Sequence, residues 1–167
     1  MLNKSRDIIK YMKSNKKKLK KKVKREIVIC SSAAFYKQMV GVENELKNLG
    51  FKVAIPLTAN RMKKSGDFNV EKYKTWYKNP SDYKRKSFLT KHHFNKVAKG
   101  DIVLVLNYEK NGVAGYIGGA VLAEMSLALH YGKKIYILNP IPESVSYKEE
   151  LYGAMPIILN GNLKLIK

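Results

Sequence analysis

The 167-residue chain has a single cysteine, a single tryptophan and only 13 acidic residues against 33 lysines and arginines. One cysteine, Cys30, excludes an intrachain disulfide and fits a reducing compartment, so the cytoplasm is the expected location. No stretch approaches the roughly 20 apolar residues that cross a bilayer, and the first residues lack the apolar core of a secretory signal, so no membrane span is expected. The chain contains neither a G-x-S-x-G elbow nor a G-x-x-x-x-G-K-[ST] loop, which argues against α/β-hydrolase and NTPase chemistry. Adjacent His92 and His93 project to different sides of a helix, and no cysteine or carboxylate cluster completes a zinc site with them. Neither a metal nor another cofactor is therefore expected.

The shortage of acid leaves a formal charge of +20, and its distribution says more than its size. Residues 1–25 carry 12 bases and one acid; residues 61–96 carry 11 bases and three acids. The rest of the chain is close to neutral. Residues 1–25 read as a basic extension whose Ile8, Met12, Leu19 and Val23 would make a narrow apolar stripe on a helix. As a functional element this arm would hold nucleic acid or an anionic membrane surface, because lysine runs give affinity without sequence information. Its plain reading is a solvated arm. A lysine excess that merely reflects biased composition, marking no partner, is a third reading.

From Glu26 the pattern becomes strand and helix in alternation, and 45% hydrophobic content suffices for the core of one domain over residues 26–167. Residues 27–30 predict a strand and 31–34 a turn. A helix follows, with Phe35, Met39, Val42, Leu46 and Leu49 at helical spacing and Gly50 where a C-terminal cap belongs. Strands are predicted at 53–55, 102–106 and 134–138, helices at 88–97, around Glu124 and at 146–154, and an extended piece at 156–159. This order predicts a Rossmann-like, flavodoxin-like α/β fold: a doubly wound parallel sheet of about five strands, with ligands at the carboxyl ends. That geometry selects the loops 31–36, 107–118 and 139–143. The segment 57–86 is long for a connection, and it sets Phe68, Tyr73, Trp76, Tyr77 and Tyr83 among its bases. It reads either as a lid over the site or as a small accessory helix packed on the domain.

One carboxylate stands out. Glu124 sits in the apolar run 115–130 with Ala120, Val121, Leu127 and Ala128 at its helical neighbours, so nothing on its own face offers a positive charge. A buried, unpaired carboxylate costs several kcal/mol or shifts its pKa upward, which makes Glu124 the leading candidate for chemistry. Ser31 and Ser32, at a helix N-terminus after the first strand, suit an anion or simply cap the helix. Asn107, Gly115, Tyr116 and Gly118 belong to the loop before the Glu124 helix, where glycine lets a ligand approach the backbone or lets the chain turn.

Taken in order, the strand ending in Cys30-Ser-Ser-Ala-Ala-Phe-Tyr36, the Gly-Asp-Ile-Val-Leu-Val-Leu-Asn stretch at 100–107, Gly115-Tyr-Ile-Gly through Ala123-Glu-Met-Ser, and Gly132-Lys-Lys-Ile-Tyr-Ile resemble the nucleoside 2-deoxyribosyltransferase-like family. The resemblance covers residues 26–160. It implies a Rossmann-like domain, usually in an oligomer, that cleaves the N-glycosidic bond of deoxynucleosides or their monophosphates. Glu124 matches the family's nucleophile, which forms a glycosyl ester at C1′. Tyr36 and Tyr116 would orient that glutamate or bind the sugar, and Ser31 and Ser32 would hold a 5′-phosphate or hydroxyl. The family's second carboxylate is missing from Thr90-Lys-His-His-Phe-Asn-Lys96, where His92 or His93 would stand in as proton donor. Two functions follow: a nucleoside or nucleotide N-glycosidase or transferase, and a noncatalytic nucleotide-binding or nucleic-acid-associated module.

Overall fold

The computed structural model describes residues 24–167, so all but Lys24 and Arg25 of the basic arm lies outside the described residues. Five strands form one parallel sheet: β1 (Glu26–Ser31), β2 (Lys52–Ala54), β3 (Ile102–Leu106), β4 (Lys134–Ile137) and β5 (Ile157–Ile158), in the order β2-β1-β3-β4-β5. The helices between them are α1 (Tyr36–Asn48), α2 (Leu57–Ser65), α3 (Tyr83–Lys99), α4 (Gly119–His130) and α5 (Lys148–Gly153). This is the flavodoxin-like doubly wound order, with the chain reversing its direction of growth between β1 and β3.

A strand covered on both faces must be apolar throughout, and β1 and β3 are. Alternate residues of β1 divide between two cores. Ile27 and Ile29 join Met39 and Leu46 of α1, Met62 of α2 and the C-terminal Leu163. Val28 and Cys30 join Val97 of α3, Val121 and Met125 of α4, and Leu151 of α5. Burying each such aliphatic side chain contributes about 1.5–3 kcal/mol, so the sheet is held equally from both sides.

The expected elements are present, with revised boundaries. Gly50 ends α1 at a φ of 93°, but Leu49, counted with that helix's buried stripe, is 40% exposed. Helix α3 starts at Tyr83 and not at residue 88; its first turn is basic and has no apolar periodicity to mark it in the sequence. The 57–86 segment is an accessory structure and also a cover. It contains α2, whose Ala59 and Met62 are buried, followed by three 3-10 turns at Val70–Lys72, Thr75–Tyr77 and Pro80–Asp82. Among the described residues no helix is long and apolar enough to cross a membrane.

Candidate functional site

A cavity of about 270 Å³ opens at the carboxyl edge of the sheet, lined by residues that follow β1, β2 and β3. Ser31, Ser32 and Tyr36 reach it from the end of β1 and the start of α1. Thr90 and His93 reach it from α3, and Tyr116, Gly118 and Glu124 from the far side. The 57–86 segment supplies Tyr73, Trp76 and Tyr77, so it roofs the cavity as well as packing on the domain. Trp76 is buried, whereas Tyr77 is 74% exposed.

Glu124 lies at the cavity's inner wall with its side chain 12% exposed. One oxygen, Oε2, is buried with no hydrogen-bond partner among the described residues; the other, Oε1, is 3.9 Å from Nε2 of His93. Burial pushes the carboxyl up to about 7, while the Cys30 thiol and the Lys86 charge pull the other way. His93 is itself buried. Desolvation, reinforced by the charges of Lys96 and His92, brings its imidazole down to about 4. The 3.9 Å approach is therefore a neutral imidazole beside a carboxyl group and not an ion pair.

Two further groups complete this chemistry. Cys30 Sγ lies 3.5 Å from His93 Nε2, and burial, with Glu124 beside it, raises the thiol well above its ordinary value, so it stays protonated. Tyr36 is raised for the same two reasons, burial first, and remains a phenol. Glu43 provides the contrast. Its side chain is also covered, though much nearer the surface, and it accepts hydrogen bonds from Lys47 and from Lys63 at 2.9 Å; these outweigh its desolvation and hold it below the usual carboxylate range. A structural buried acid recruits cations. Among the described residues, no lysine or arginine lies within 4.0 Å of Glu124.

The structure brings together Glu124, Tyr36, His93, Ser31, Ser32, Tyr116 and Gly118 from the expected set. Both serines have local hydrogen-bonding roles as well: Ser31 Oγ donates to the Ser32 carbonyl at 3.1 Å, and Ser32 Oγ accepts from the Ala34 N–H at 3.4 Å. Asn107 and Gly115 do not belong to this cavity. Asn107, fully buried, donates through Nδ2 to the carbonyls of Gly115, Asn139 and Pro140 at 3.3, 3.0 and 3.1 Å, and its Oδ1 accepts from the Asn139 N–H at 2.8 Å. Every polar atom of its side chain is thus spent on joining two loops. Gly115 sits at a φ of 70°, and a Cβ there would come within 2.3 Å of the Pro140 carbonyl oxygen. Its glycine permits the close approach of the Pro140 loop.

Cys30, Trp76, Lys74, Lys86 and Lys110 were not among the expected site residues, although the mixture of aromatic and basic residues at 57–86 pointed toward three of them. The expectation that no cysteine or carboxylate joins the histidines also needs correction. Donor atoms of Cys30, His93 and Glu124 all lie within 4.8 Å of one another, because β1, α3 and α4 converge there. Thiolate, imidazole and carboxylate are zinc-binding types; ligation here would require the thiol to lose a proton that burial retains. No protein-family model matches the chain, and no match is found among curated proteins.

Proposed function

We propose that the protein cleaves or transfers at the N-glycosidic bond of a nucleoside or nucleotide, with Glu124 as nucleophile. The observation that carries this reading is a carboxylate oxygen buried at the wall of a cavity, with no hydrogen-bond partner and no other acid lining that cavity among the described residues. An oxocarbenium-like carbon is the kind of centre such an oxygen can stabilise and then bond. In the first step a carboxylate oxygen forms a bond to C1′ as the C1′–N bond breaks, and the bonding pair leaves with the base. Attack on the resulting ester by water gives the free sugar and restores the carboxylate; attack by a second base gives transfer.

Tyr36 and Tyr116 would position the sugar. His93, neutral at physiological pH, has its Nδ1 buried, so any hydrogen bond it offers the departing base would come from an N–H on Nε2, the atom beside Glu124 and Cys30. Neutrality is also what favours the second reading, a noncatalytic nucleotide-binding module, since among the described residues the cavity has no acid apart from Glu124 to deliver a full proton. Assembly as an oligomer and a cytoplasmic location belong to the same proposal; sedimentation velocity and cell fractionation read them directly.

Free base released from a panel of ribo- and deoxynucleosides and their 5′-monophosphates, with and without an acceptor base, decides between the two. The enzyme reading expects release that falls at least about a thousandfold in Glu124→Gln, as for removal of a covalent nucleophile. Absence of release from every member, with acceptor present, would overturn it in favour of the binding module.

A further inference from the structure

Lys74, Lys86 and Lys110 come from three separate stretches, the roof, the start of α3 and the loop after β3, and all three line the cavity that holds Glu124. Each is half-buried, whereas Lys72, Lys78, Lys84 and Lys91 nearby are exposed. That difference separates the three from a lysine excess that merely reflects composition. Among the described residues, no carboxylate oxygen lies within 4.0 Å of any of their ammonium groups. Lys86 donates to Thr90 Oγ1 at 2.9 Å, and Lys110 lies 4.7 Å from the centre of the Tyr116 ring. Neither contact neutralises a charge.

The lysines also feel one another. Burial is the main reason the Lys74 ammonium is held below its ordinary value, and the charges of Lys110 and Lys86 add to it, against a smaller opposing pull from Glu71. A fold that gathers three like charges at one opening, with no carboxylate among the described residues in direct contact with any of them, leaves an anion site to be filled from outside. The hydroxyls of Ser31 and Ser32, the other candidates for an anion, already have backbone partners.

We propose that Lys74, Lys86 and Lys110 form a phosphate-binding rim, so that the ligand of this cavity is a phosphorylated nucleoside and not a free one. The proposal rests on the glycosidic reading only for the nucleoside part of the ligand. A phosphate monoester carries a charge of about −1.5 to −2 at pH 7, which two or three ammonium groups match. A cavity roofed by Trp76 and Tyr77 suits a mononucleotide, with its base against the aromatics and its phosphate at the rim, more than a continuous strand.

Trp76 is the only tryptophan in the sequence and lines the cavity, so its fluorescence reports occupancy without any turnover. The experiment titrates the full chain, and Glu124→Gln to exclude hydrolysis, with a deoxynucleoside, its 5′-monophosphate, inorganic phosphate and a short single-stranded oligodeoxynucleotide. We expect the monophosphate to bind at least about tenfold more tightly than the nucleoside, with inorganic phosphate competing against it. Lys74→Gln and Lys110→Gln should each reduce that preference severalfold, Lys74→Arg should retain it, and thermal melting confirms that all are folded. Equal affinity for nucleoside and monophosphate, or a preference untouched by both glutamine variants, would overturn the rim. Binding of the oligonucleotide as tightly as the monophosphate would overturn the mononucleotide assignment. Because no arm requires catalysis, a failed base-release assay and a failed rim give different results.

Discussion

Glu43 and Glu124 lie on helices packed on opposite faces of the sheet, and their surroundings send them in opposite directions. Two lysines keep Glu43 ionised, whereas Glu124 is brought up to about 7 because desolvation outweighs the help from Cys30 and Lys86. If Glu124 must be ionised to attack, base release should rise about tenfold per pH unit below about 7 and level off above it. The same shift has a stability signature. Below about pH 4.5 the carboxyl is protonated in folded and unfolded chains alike; between there and about 7 only the unfolded chain gives up its proton. Stability is thus lost as the pH rises through the folded value, by on the order of 3 kcal/mol. His93, brought down to about 4, works the other way and loses stability as the pH falls below its ordinary 6.5. Comparing wild type with Glu124→Gln isolates the glutamate. Their melting temperatures should differ least near pH 4, with Glu124→Gln gaining several degrees by pH 8 relative to that baseline; a pH-independent difference would show that Glu124 is not desolvated.

Helix α3 and the loop after β3 set the site from opposite sides. Helix α3 is anchored by Lys96, which donates to the Ile55 carbonyl at 2.7 Å, and this holds His93 beneath the cavity. The loop after β3 is pinned by Asn107 and by the close approach of Gly115 to Pro140, and it carries Tyr116 and Gly118 to the cavity. Asn107→Ala leaves buried carbonyls unpaired and should cost about 2–4 kcal/mol, seen as a lower urea midpoint at unchanged slope. An unaltered midpoint would contradict the joining role. Sequence reasoning placed both residues at the ligand because a strand's carboxyl end is where ligands bind. It had no means of seeing that Asn139 and Pro140, on the neighbouring loop, would contact both. The start of α3 was missed for a different reason: Tyr83 to Lys86 present bases where periodicity searches for apolar side chains.

Charge is the property that spans the whole chain, and it divides into two parts. The lysines at the cavity belong to the folded domain, while residues 1–23 carry ten of the 33 bases outside the described residues. Deleting residues 1–23 should therefore weaken binding of long DNA or RNA and flatten its salt dependence, while leaving mononucleotide affinity within about twofold. Fluorescence anisotropy across a salt series measures the first and Trp76 quenching the second. Loss of mononucleotide binding on deletion would show that the arm reaches the site.

The alternation of apolar strands with amphipathic helices was legible from the residues because it is local: periods of two and 3.6 follow from backbone geometry and need no knowledge of distant partners. The same holds for the oddity of Glu124, since four apolar neighbours on its own helix identify it wherever the helix lies. Which groups face it was not local. Cys30 and His93 are 63 positions apart and meet because parallel crossovers return β1 and α3 to one end of the sheet. Lys74, Lys86 and Lys110 likewise share an opening only once the 57–86 segment folds over it. Side-chain chemistry marked the candidate, and three-dimensional convergence supplied the neighbours that set its proton affinity, because desolvation and charge act through space and not along the chain.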